Sequence, residues 1–220
     1  MQRRILLALQ VPVALLILAG LPGNWVKLVG LLVLWIVTFR ALTLAEWILY
    51  TCACLFFTAM NALSLRQGIF AFTSPDALGM PVYEFFMWGF YLLHVKRMVD
   101  GPVPKVSALQ ARLVWILALL YALAFSAIAD SNTLLTATAI LLALALALCH
   151  QRLDLLYAGY MVLIGAAFEY TGVLSGQWAY PGHPPGGVPL WFITLWGGVG
   201  LFLRRLVLPL LPHETPNTLP

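Results

Sequence analysis

Residues 66–89 read RQGIFAFTSPDALGMPVYEFFMWG, and residues 174–197 read LSGQWAYPGHPPGGVPLWFITLWG. Laid over one another at an offset of 108, they share Gly68/Gly176, Ala71/Ala179, Gly79/Gly187, Pro81/Pro189, Trp88/Trp196 and Gly89/Gly197. Phe70/Trp178 and Phe72/Tyr180 keep an aromatic ring. The register runs outward without a gap: Gln2 meets Gln110, Arg4 meets Arg112, Asn24 meets Asn132, Glu46 meets Asp154, Arg97 meets Arg205 and Pro104 meets Pro212. A period of this length predicts two tandem units, 1–108 and 109–216.

Composition sets the solvent. Of 220 residues, 62% are hydrophobic and 9% charged, against about 25% charged in an average soluble protein. With a mean hydropathy of +0.94, most of the backbone must satisfy its own hydrogen bonds in lipid. The apolar runs are too long and too rich in Leu and Ala for barrel strands, so the expected class is all-α integral membrane. Eight spans are read at 4–20, 24–39, 41–64, 80–99, 110–129, 132–148, 152–174 and 187–210. Arg3 and Arg4 precede the first, but no small-residue cleavage site follows it, so it is read as retained.

Four spans per unit return the chain to its starting side. The two repeats are therefore expected in parallel orientation, related by a pseudo-twofold along the membrane normal with a central site between them. Arg3, Arg4, Arg40, Lys96, Arg97, Lys105, Arg112, Arg152, Arg204 and Arg205 fall on one side and only Lys27 and Arg66 on the other. By the positive-inside bias both termini are cytoplasmic, with a bacterial inner membrane as the expected location. The net charge of +4 then reflects topology, and no nucleic-acid partner is expected. Cys52, Cys54 and Cys149 lie in apolar segments, which argues against a disulfide framework or a zinc set. No metal spacing, phosphate loop or nucleophile triad is found.

Acids inside a membrane are costly and point to function. Glu46 and Asp154 sit at helix starts near Arg40 and Arg152, where pairing and the helix dipole explain them. Glu84 and Glu169 lie elsewhere. Asn61 is the 108-residue counterpart of Glu169 and stands about 22 Å beyond Glu46 along a helix. Glu84, in the first turn after Gly79-Met80-Pro81, is expected at the same depth. The helix start should keep Glu84 ionised, and the apolar helix end should keep Glu169 protonated. Such a divided pair suits general acid/base chemistry, which makes Glu84, Glu169 and Asn61 the candidate catalytic residues. Phe70, Phe72, Tyr83, Trp88, Tyr91, Tyr170, Trp178, Tyr180 and Trp191 are the candidate substrate-binding walls; an interfacial aromatic belt is the plainer account. Repetition favours packing for Trp88 and Trp196. His94 is expected to bond between helices, and His183 to be a solvated loop histidine.

The string Gly79-Met80-Pro81-Val82-Tyr83-Glu84-Phe85-Phe86, and the run from Glu169 through Gly176, Trp178 and Tyr180, resemble the integral-membrane lycopene cyclase and carotenoid hydratase group. Glu84 stands at the second acidic place of a Pro-x-Glu-Glu motif, and Tyr83 replaces the first acid. In the second unit Leu190-Trp191-Phe192 occupies the corresponding place, leaving one asymmetric site. The resemblance implies a membrane enzyme, an isomerase or lyase, performing proton-initiated cyclisation or hydration of an isoprenoid polyene without an external cofactor. Glu169 would protonate a double bond, aromatic faces would stabilise the cation, and Glu84 would accept a proton or direct water. The alternative is a small membrane transporter or lipid-binding protein with a central site between the repeats, and a third reading is a structural subunit of a membrane complex.

Overall fold

A computed structural model describes residues 2–182 and 184–212; His183 lies outside them. Eight α-helices are present among these residues. They are α1 (Gln2–Gly20), α2 (Asn24–Phe39), α3 (Leu44–Arg66), α4 (Glu84–Met98), α5 (Ala108–Ala127), α6 (Ser131–Leu148), α7 (Arg152–Leu174) and α8 (Trp191–Phe202). A π-helical stretch, Leu203–Val207, and a 3₁₀ turn, Leu208–Leu210, continue α8. Two short strands, β1 (Ala71–Phe72) and β2 (Trp178–Ala179), lie in the loops after α3 and α7.

The helices α3, α5, α6, α7 and the segment 185–210 are long and apolar enough to cross a membrane. Leu16, Ile36 and Leu163 point outward, each about 70% exposed. A soluble fold would bury such side chains; lipid accommodates them. The chain is an integral membrane protein.

Local chemistry explains the helix ends. Thr43 starts α3 with a capping box: its hydroxyl accepts from Glu46 N, and its own N–H donates to Glu46 Oε2. The helix therefore begins three residues after the expected start at 41. Asp130 caps α6, accepting from the Thr133 hydroxyl at 2.6 Å and its N–H at 2.8 Å, which hold its carboxyl below the ordinary carboxylate range. Helices α3 and α7 end in the same Schellman turn. Ile69 N–H donates to Ser64 O and Gln177 N–H to Gly172 O, with Gly68 and Gly176 both at φ +70°.

The starts of α4 and α8 differ from the sequence reading. Each begins four residues late, at Glu84 and Trp191 rather than 80 and 187. Gly79 and Gly187, both at φ +79°, turn the chain into Pro81 and Pro189, and regular helix follows only beyond these prolines.

Within 1–108, α1 packs on α2 and α4, and α3 packs along α4; within 109–212, α5 packs on α6 and α8, and α7 packs along α8. The two sets meet where α1 lies on α7 and α3 on α5. The strands close the top of this seam as an antiparallel pair, with Ala71 opposite Ala179 and Phe72 opposite Trp178. At the other end Glu46 takes Arg97 through bonds of 2.7 and 2.5 Å, and Asp154 takes Arg205 at the same two distances. Arg40 and Arg152, the expected partners, are exposed. The bases at the ends of α4 and α8 reach these acids because those helices pack along α3 and α7.

Candidate functional site

The cavity at the seam is built from the two helix-end turns. The loop after α7 folds back so that β2 and the residue after it carry Trp178 and Tyr180 over their own helix. Trp178 Nε1 donates to Glu169 Oε2 at 3.1 Å and the Tyr180 hydroxyl to the same oxygen at 2.7 Å. From α8, Trp196 Nε1 donates to Glu169 Oε1 at 3.2 Å. Two glycines let the rings come this close: a Cβ at Gly172 would strike the Trp178 ring, and one at Gly165 the Trp196 ring. Glu169 is thus a buried acceptor of three hydrogen bonds.

The positions 108 residues earlier are occupied differently. Asn61 stands for Glu169, Phe70 and Phe72 for Trp178 and Tyr180, and only Trp88 repeats Trp196. Two of the three donors are gone. Asn61 Nδ2 instead donates to Glu84 Oε1 at 3.1 Å. Trp88 is clamped in a ring stack, with Phe57 3.9 Å on one side and Trp196 4.8 Å away. Its indole Nε1 is buried without a hydrogen-bond partner among the described residues. Phe57 is the counterpart of Gly165: where Gly165 makes room for the Trp196 ring, Phe57 stacks on Trp88.

These groups enclose about 80 Å³. Asn61, Phe70, Phe72, Glu84, Trp88, Tyr91, Glu169, Trp178, Tyr180 and Trp191 all line this cavity. Two expected wall residues do not. Tyr83 is fully buried just before α4, with the Lys27 ammonium 5.8 Å from its ring. Tyr170 is 37% exposed on the far face of α7, edge-on to Phe192. Trp196, which repetition marked as packing, lines the cavity as well, as do Phe57 and Phe168; the register of Trp196 with the candidate wall residue Trp88 was the signal available for it, and no sequence signal marked the other two. His94 does bond between helices, to Gln10 of α1 at 2.7 Å and Tyr160 of α7 at 2.9 Å. No group of three metal-ligating side chains occurs among the described residues.

The fold and cavity define a helical membrane protein with a small aromatic-walled cavity, holding Asn61, Glu84 and Glu169, beneath a two-stranded cap. No protein-family model and no curated protein matches the chain. Two solved structures do. Both are of MvINS, an Insig homologue from Mycobacterium vanbaalenii, one of them a cross-linked trimer of a cysteine variant. Each is 16% identical, with a TM-score of 0.60 over 80% of this chain and 100% of the other. The likeness is one of fold.

It overturns the resemblance to the lycopene cyclase and carotenoid hydratase group, and with it the expected polyene cyclisation or hydration and the isomerase or lyase assignments. The strings that suggested that group are accounted for by the architecture. Gly79 and Pro81 turn the chain into α4, and Gly176, Trp178 and Tyr180 form the turn that covers Glu169.

Proposed function

We propose that this is a lipid-binding membrane protein whose cavity receives the polar head of an amphipathic lipid. The observation that carries the reading is the buried, unpartnered N–H of Trp88, a residue that lines the same small cavity as Glu84. A buried donor left unsatisfied costs about 1–3 kcal/mol, and a ligand oxygen recovers that. Glu84 Oε1 is engaged by Asn61, and Oε2 is left to accept from a ligand. A hydroxyl meets both demands, accepting from Trp88 and donating to Glu84. An amine would set its cation against the indole N–H, and a carboxylate would meet Glu84 and Glu169. The half-buried Met60, Asn61 and Ser64 put the cavity's accessible wall on α3, so the apolar tail lies in the bilayer.

The proposal includes the architecture of two tandem four-helix repeats, 1–108 and 109–216, in parallel orientation. Its supports are the equal ion pairs and Schellman turns at positions 108 apart. The strand pair supports it too, since Ala71 facing its own counterpart Ala179 is what an antiparallel ladder astride a twofold axis requires. All eight helices then span the membrane, with the basic end and both termini on the cytoplasmic side of a bacterial inner membrane.

The test is thermal stabilisation of the detergent-purified protein by a long-chain alcohol, against the alkane, amine and fatty acid of equal length. Stabilisation by the alcohol alone, lost in Glu84→Leu, is expected. Equal shifts from alcohol and alkane, or an unchanged response in Glu84→Leu, contradict the reading.

A further inference from the structure

The end of the bundle opposite the strands holds a second, larger cavity, of about 540 Å³, that no part of the lipid-head reading uses. Its polar wall comes from Arg4 at the start of α1, Glu46, and Lys96, Arg97 and Asp100 at the end of α4. The rest is apolar, supplied by Leu7, Val103, Leu208 and Leu211. Tyr157 also lines it.

Charge at this end does not balance. Glu46 has two bases beside it and takes Arg97 bidentately, with Lys96 at 3.4 Å. Asp154 likewise has two and takes Arg205, with Arg204 Nε at 3.5 Å. Of the charged groups lining the cavity, Arg4, Lys96 and Arg97 face Glu46 and Asp100, an excess of one positive charge.

We infer that this cavity binds the phosphate headgroup of an anionic phospholipid, independently of the head site beneath the strands. The phosphate sits against Arg4 and Lys96, and the acyl chains leave along Leu7, Val103 and Leu211. These apolar walls favour a lipid over a free phosphate. Each basic side chain near an anionic headgroup strengthens binding severalfold at low salt, so two of them give about tenfold.

The experiment uses the full chain in neutral detergent, with phosphatidylglycerol and phosphatidylcholine of matched chains quantified by native mass spectrometry. Phosphatidylglycerol is retained about tenfold more tightly, and the preference falls to about twofold in Arg4→Gln/Lys96→Gln, which leaves the Glu46–Arg97 pair in place. Lys105→Gln, at the same end but outside the cavity, keeps it. Equal retention of the two lipids overturns the site. So does equal loss in Lys105→Gln, which means diffuse surface charge, and so does displacement by millimolar inorganic phosphate alone, which means a free-anion site.

Discussion

At the basic end, Glu46 takes Arg97 and, 108 residues on, Asp154 takes Arg205, each through a pair of bonds of 2.5 and 2.7 Å. At the strand-capped end the equivalent positions diverge. Glu169 is enclosed by Trp178, Tyr180 and Trp196, whereas Asn61 faces two phenyl rings and turns to Glu84, leaving Trp88 with no acceptor. The difference separates two duties. A buried ion pair stripped of one member is heavily destabilising, so both pairs hold the helix ends together. The other end completes its polar contacts on one side and leaves them open on the other, and the proposed ligand takes the open side.

The largest expected effect tests the alike end. Asp154→Ala leaves Arg204 and Arg205 buried without a carboxylate, and should cost about 3–5 kcal/mol in detergent unfolding. Glu46→Ala should cost the same within about 1 kcal/mol; a much smaller loss there would break the equivalence. Next, Glu169→Leu orphans three donors and should cost about 2–3 kcal/mol more than Asn61→Leu, measured the same way. Equal losses would mean that the enclosure of Glu169 does not hold the fold. Third, Gly172→Ala drives a Cβ into the Trp178 ring, with an expected loss of about 1–3 kcal/mol. Its counterpart Ser64→Ala, on a half-buried wall, should stay within about 0.5 kcal/mol.

Sequence reading reached unevenly into these two ends. Helix count and lipid exposure follow from apolar run length, which the bilayer dictates. Asn61 and Glu169 were placed together by the 108-residue offset, since equal positions along equal helices reach equal depth. Tyr83 and Tyr170 were misplaced because the irregular approach to α4, and the far face of α7, carry no periodicity that gives side-chain direction. The three donors on Glu169 depend on a loop folding back over its own helix, which spacing alone does not reveal. The cyclase-like strings misled for a related reason: Gly, Pro and aromatic residues at these spacings are demanded by the turn geometry, whatever the chain does.

In the proposed complex the buried Trp88 indole N–H takes a ligand oxygen. Trp88→Phe removes that donor and keeps the ring between Phe57 and Trp196. The direct measurement is the affinity for a long-chain alcohol in wild type and Trp88→Phe, with melting temperature as the check on fold. The account predicts about five- to tenfold weaker binding, with the fold intact and no stability lost in the empty protein. Unchanged affinity in a folded Trp88→Phe would contradict it.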